Sequence, residues 1–222
     1  MINKLEILIP DATYHIYNRA NGNEKLFLND ENYSYFLRKY IEYISPIAHT
    51  FCYCLMPNHF HFLIQIKSEN ELLAFLKAEQ NKDLQGKRKD LTGFENLSGL
   101  FVEKLISSQF SSFFNSYAKA FNKQHGRTGS LFMRPYKRKR VNESTYFSKL
   151  VHYIHYNPLE ADLCQKIDQW KYSSYNQIIS NEATFLNREE LINWFNDLDN
   201  FKFIHQYPPK ETGIEKIVSN ET

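Results

Sequence analysis

Between residues 48 and 66 the chain reads as two β-type runs separated only by Pro57-Asn58. Proline lacks the donor that a central strand needs, so Pro57 belongs in a turn, and the runs 48–56 and 59–66 are expected to pair as an antiparallel hairpin. The second run, His-Phe-His-Phe-Leu-Ile-Gln-Ile, fixes which face is which. Residues at i and i+2 of a strand share a face, so His59 and His61 stand side by side while Phe60, Phe62 and Ile64 point the other way, into a core. Adjacent imidazoles on a rigid strand are a ready pair of metal ligands. They are equally a polar strand face whose histidines only hydrogen-bond, and the pair alone does not choose.

The flanking sequence supplies the other elements. Residues 13–19, rich in aromatic and β-branched types, read as a first strand closed by Asn21-Gly22-Asn23. Tyr33, Phe36, Leu37, Tyr40, Ile41 and Ile44 have helical spacing, with Asn29 or Asp30 as N-cap. Residues 69–79 read as a helix, and the polar, charge-mixed stretch from Asn81 to Gly99 as an inserted, flexible loop. A long amphipathic helix is expected over 100–124, a strand over 129–141, and a helix over 143–157 capped by Asn142 with Glu143 in its first turn. The order β-α-β-β-α-α-β-α matches an α+β fold, a ferredoxin-like antiparallel sheet with helices packed mainly on one face. The chain divides into a first domain over 1–176 and a C-terminal extension over 177–222 of short helices ending in a polar, disordered tail.

Composition narrows the setting. The three cysteines, Cys52, Cys54 and Cys164, form neither a disulfide framework nor a Cys-x-x-Cys site, which fits a reducing, cytoplasmic compartment. No apolar run approaches the length of a membrane span, and the first residues lack the apolar core of a signal peptide. Net charge is only +2, so composition alone names no partner, but the basic residues are clustered. Residues 134–140, Arg-Pro-Tyr-Lys-Arg-Lys-Arg, hold five cations in seven positions. Arg134, Lys137, Arg138, Lys139 and Arg140 are joined nearby in sequence by Lys119, Lys123 and Arg127. In strand geometry Arg138 and Arg140 share one face, and Lys137 and Lys139 the other. Cations interleaved with Phe132 and Tyr136 suit phosphate contacts combined with base stacking.

A last constellation is His152-Tyr153-Ile154-His155-Tyr156-Asn157-Pro158. On a helix Tyr153 and Asn157 are one turn apart on one face, and Pro158 is expected to end the helix. The pair can be a nucleophile and a neutral metal ligand, or a core aromatic and a C-cap.

Taken in order, these blocks resemble the REP-associated tyrosine transposases, single-tyrosine enzymes of the HUH class. The matching residues run from Tyr14-His15-Ile16-Tyr17-Asn18-Arg19 through Met56–Ile64, Phe121-Asn122, Gly129–Phe132 and Arg134–Lys137. They continue with Tyr153–Ala161 and Trp170–Tyr175, so the resemblance covers roughly 13–176. It implies a metal-dependent, single-stranded DNA endonuclease and strand transferase active in transposition. His59 and His61 would be metal ligands, Asn157 the third, and Tyr153 the nucleophile that forms a 5′-phosphotyrosine. The implied ion is Mg²⁺ or Mn²⁺, and the implied partner single-stranded or hairpin DNA, bound by a monomer or homodimer. Ser130 stands where the family often has His, and the 81–99 insertion is longer than in compact members. Tyr117 is the next tyrosine in line as a nucleophile, but it lies in a Phe/Tyr-rich helical stripe that suits packing on the sheet.

Two other classes of function stay open at this level. A ferredoxin-like sheet can bind DNA or RNA without catalysis through exposed aromatics, and a metal-dependent hydrolase could use a bound water with Tyr153 as a bystander. A covalent protein–DNA adduct separates both from the transposase.

Overall fold

The computed structural model describes residues 6–83, 98–142 and 144–209. Most of the loop expected over 81–99, Glu143 and the end of the C-terminal tail lie outside the described residues. The elements run β1 (Thr13–Arg19), α1 (Asp30–Tyr43), β2 (Ala48–Met56), β3 (His59–Ile66), α2 (Glu69–Asp83), α3 (Ser98–Gln124), β4 (Lys137–Arg140) and α4 (Ser144–Glu160). A 3₁₀ turn (Ile167–Gln169) and the short helices α5 (Tyr175–Ile179), α6 (Arg188–Asn193) and α7 (Leu198–Ile204) follow. The four strands form one antiparallel sheet in the order β2-β3-β1-β4.

The hairpin β2–β3 forms as the sequence predicts, with Met56 opposite His59. One feature was not legible. Thr50 pairs with Ile64 but Cys52 pairs with Leu63, so Phe51 is an extra, bulged residue. Strict alternation would place Thr50 and Tyr53 on opposite faces, and the bulge returns them to the same one. Thr50 Oγ1 there meets the Tyr40 hydroxyl at 2.7 Å, and the Tyr53 ring lies 5.6 Å from that of Phe62.

α1 begins where its cap allows. Asn29 Oδ1 accepts the Asn32 N–H at 3.0 Å, and Asp30 and Glu31 occupy the positive end of the helix dipole. Its buried stripe centres on Phe36, whose ring is 4.9 to 5.2 Å from those of Phe27, Phe60, Phe113 and Tyr117. These contacts seat α1 and α3 on the sheet face carrying Phe60, Phe62 and Ile64, while α2 packs beside α3. Tyr117 is buried there with its hydroxyl donating to the Leu26 carbonyl, as a packing residue. α4 alone of the long helices crosses the opposite face, against β2 and β3, where Phe147 meets the bulged Phe51 at 5.0 Å.

Two boundaries differ from expectation. The strand expected over 129–141 is only Lys137–Arg140, preceded by a loop. Pro135 offers no donor, and the Gly129 and Ser130 carbonyls are taken by the side chains of Arg127, Asn122 and Asn21 rather than by a ladder. Nor does the last long helix stop at Asn157: α4 continues through Pro158 to Glu160. The bonds from Ala161 N–H to Asn157 O (3.0 Å) and from Leu163 N–H to Pro158 O (2.9 Å) carry the backbone past the proline. Burial of Leu150, Val151 and Ile154 holds the helix down.

The segment after α4 completes the sheet edge. The N–H groups of Leu55, Ser174 and Asn187 pair with the carbonyls of Tyr172, Tyr53 and Thr50 along β2. Leu186, Leu191, Phe195 and Phe201 join the same hydrophobic core as the sheet. A buried chain of polar groups ties this segment to α4. The His205 Nδ1–H donates to the Phe201 carbonyl (2.7 Å), which leaves His205 Nε2 to accept from His155 Nδ1–H (3.0 Å). His155 Nε2 in turn lies 2.8 Å from Ser174 Oγ.

Candidate functional site

Antiparallel pairing assigns side chains to faces. Tyr17 pairs with His61, Arg19 with His59, His15 with Lys139 and Tyr17 with Lys137, so all seven occupy the sheet face that α4 covers. Tyr153 on α4 reaches that cluster, its ring 5.9 Å from the His61 ring in an edge-on arrangement. The strand histidines and the helix tyrosine, widely separated in sequence, are therefore neighbours. Asn157 is buried one turn further along α4.

The histidines of this face are held neutral. His59 Nδ1 lies 2.7 Å from Asn58 Oδ1; an amide oxygen only accepts, so the proton is on Nδ1 and His59 Nε2 keeps its lone pair. His61 is fully buried, its Nδ1 lies 2.9 Å from His15 Nε2, and its Nε2 has no hydrogen-bond partner. Burial, with the Arg19 charge beside it, lowers the His59 pKa to about 4. Burial, reinforced by His15 and His59, holds that of His61 well below the usual histidine range. His15 is lowered to about 3, by burial and then by Lys139. All three are uncharged near neutral pH, the form in which imidazole binds metal.

A buried, unpartnered imidazole nitrogen on one histidine and a lone pair on its neighbour fit a cation, as does the carboxamide of Asn157. Asn157 Nδ2 donates back to the Tyr153 carbonyl (2.8 Å), which leaves Oδ1 as the atom to meet a ligand. Among the described residues no group of three or more His, Cys, Asp or Glu side chains could hold a metal. An ion on this face would thus rest on imidazoles and neutral oxygen donors rather than on carboxylates or thiolates.

The basic residues split between locations. Lys137 and Lys139 share the face of the histidines, with Lys139 Nζ 5.7 Å from the Tyr146 ring of α4. Arg138 and Arg140 are on the opposite face, where Arg138 donates to the Tyr136 hydroxyl (2.9 Å) and Tyr136 stacks on Phe110. Exposed Lys119 and Arg134 line a groove of about 660 Å³ between α3 and the 129–136 loop. The groove wall also carries Asn18, Asn115 and Ser130, and no acidic side chain. Lys123 is exposed near the end of α3.

Arg127 is the exception among the expected DNA contacts. Its five N–H donors go to both Glu24 oxygens, Asn122 Oδ1 and the Gly129 and Ser130 carbonyls. The residue staples α3 to two loops and has no donor left for a phosphate.

Sequence reasoning gave roles to His59, His61, Tyr153 and Asn157, whereas His15, Tyr17 and Arg19 entered only within the matching block 14–19, with no role of their own. The signal was present: His15, Tyr17 and Arg19 alternate on β1 with the period of a strand face.

No protein-family model and no curated protein matches the sequence. The fold is an α+β arrangement, a four-stranded antiparallel sheet with helices on it. Among solved structures the chain is similar to a REP-associated tyrosine transposase bound to a REP hairpin, with TM-score 0.52 and 12% identity, over 82% of this chain and 87% of that one. No helix among the described residues is long and apolar enough to cross a membrane.

Proposed function

We propose that the protein is a transposase that cuts and rejoins single-stranded DNA through Tyr153. The observation that carries the reading is the meeting of Tyr153 with the His59–His61 face, 5.9 Å from ring to ring at His61, beneath the cations Arg19, Lys137 and Lys139. A non-catalytic DNA-binding domain accounts for the cations and the groove, but gives no reason for a phenol to be buried against the neutral His61 imidazole.

In the proposed reaction the Tyr153 oxygen attacks a phosphodiester. The new bond is from the phenolic oxygen to phosphorus, and the bond to the 3′-oxygen breaks. The phenol gives up its proton and the 3′-oxygen takes one up. The product is a 5′-phosphotyrosine with a free 3′-hydroxyl, and because a phosphodiester is retained, a 3′-hydroxyl reverses the step without ATP. His59, His61 and Asn157 would hold a divalent ion, Mg²⁺ or Mn²⁺, which when bound polarises the phosphate and offsets developing charge. Lys137, Lys139 and Arg19 draw the phosphate onto this face. Lys119 and Arg134 give the strand a path along the groove, whose aromatic and amide lining suits unpaired bases.

The test is incubation with hairpin-bearing single-stranded DNA and Mn²⁺, read on a denaturing gel. The wild type should form a covalent adduct. Tyr153→Phe should form none while still binding the DNA, and an adduct of undiminished yield from that variant refutes the assignment.

A further inference from the structure

We infer that His15, on β1, is the positioning residue of this site: it fixes the tautomer of His61 and so aims the His61 Nε2 lone pair into the face that Tyr153 reaches. The inference rests on the metal-site reading above and deepens it. His15 is the diagonal neighbour of His61 across β1–β3, since Tyr17 is its direct partner and His15 stands opposite Leu63. Both imidazoles are buried, each 1% exposed, so no water competes for their nitrogens. The rings of His15, Tyr17 and His61 lie within 27° of parallel, with centroids 4.6 to 5.9 Å apart, so His15 is clamped in orientation as well as in place.

The 2.9 Å separation of His15 Nε2 and His61 Nδ1 is a hydrogen bond with a single proton, and only two arrangements are possible for neutral rings. If His15 donates, the remaining His61 proton sits on Nε2, which is a buried donor with no partner. Such a group costs about 1–3 kcal/mol, and it has no lone pair to give. If His61 donates from Nδ1, its Nε2 carries the lone pair and the orphaned atom becomes a ligand. Cation binding selects the second arrangement, in which His15 must accept through Nε2. An imidazole ligand that donates its other N–H to a fixed acceptor is also a more basic ligand. His15 touches neither ion nor substrate in this scheme and works only through His61.

Two substitutions separate acceptor from packing. His15→Phe keeps a ring between Tyr17 and Lys139 but removes the acceptor. His15→Gln places a carbonyl oxygen near the former Nε2. Affinity for Mn²⁺ is read without DNA from the electron paramagnetic resonance of the free ion, with circular dichroism to check the fold. His15→Phe should weaken Mn²⁺ binding by about 10–100-fold, the usual effect of losing such a partner, and His15→Gln should recover most of the loss. Equal affinity in wild type and His15→Phe overturns the inference while leaving the metal site standing; no Mn²⁺ binding by the wild type overturns both. If His15→Phe does not fold, imidazole ¹⁵N shifts of the wild type with Mg²⁺ decide. Protonated His61 Nδ1 facing unprotonated His15 Nε2 supports the inference, and the reverse arrangement refutes it.

Discussion

Acid should destabilise this fold well before its carboxylates titrate. His15, His59 and His205 have pKa values lowered by burial to about 3, 4 and 3. In the unfolded chain a histidine titrates near 6.5. The folded values are depressed, so the stability these groups lend is present above pH 6.5 and is lost as pH falls from there towards the folded values. Between pH 7.5 and 5.5 each histidine takes up a proton in the unfolded chain and not in the fold, which removes about 1.4 kcal/mol. Three of them remove about 4 kcal/mol, a large part of the roughly 5–15 kcal/mol of a typical domain. His61 and His155, also held low by burial, act in the same direction. Asp30 and Glu71 are lowered from 3.8 and 4.5, so their contributions are lost only at lower pH. Urea unfolding at the two pH values, followed by circular dichroism, measures the difference. His205→Phe should shrink the difference between the two pH values by about 1.4 kcal/mol. Equal stability of the wild type at pH 7.5 and 5.5 would refute the reasoning, because it requires imidazoles that burial does not keep neutral.

Phe62 is 1% exposed and stacks on Tyr40 at 4.0 Å, so Phe62→Ala should cost about 3–5 kcal/mol in urea unfolding. Lys119→Ala and Arg134→Ala should each weaken binding to single-stranded DNA and lower the salt slope of log affinity by about 0.7 in a fluorescence anisotropy titration. Arg127→Ala should leave that slope unchanged while lowering the melting temperature, since its donors are spent inside the protein. Replacing His59 and His61 together by Ala should abolish strand cleavage and its dependence on divalent ions; cleavage by that variant in the presence of chelator would place the chemistry elsewhere.

Period-two alternation made the hairpin, its turn at Pro57 and the shared face of His59 and His61 readable, because one-residue shifts would invert the core. Helical spacing did the same for α1 and α3, and the i, i+4 relation for Tyr153 and Asn157. Other features depend on partners distant in the chain. The bulge at Phe51 exists because Thr50 and Tyr53 must both meet the α1 face. α4 continues through Pro158 because its buried face outweighs one missing donor. Arg127 looked like a phosphate contact until Glu24, more than a hundred positions away, claimed it. Alternation on β1 set the face of His15 but not its partner, because its role is a diagonal contact to His61 on another strand.

The central claim is that Tyr153 becomes the covalent carrier of the DNA 5′ end. Mass spectrometry of the wild-type adduct, digested with protease and nuclease, tests it directly. A nucleotide phosphate on the peptide containing Tyr153 is the predicted result. The same modification on Tyr117 or Tyr156, or a cleaved strand with no modified peptide, would contradict it.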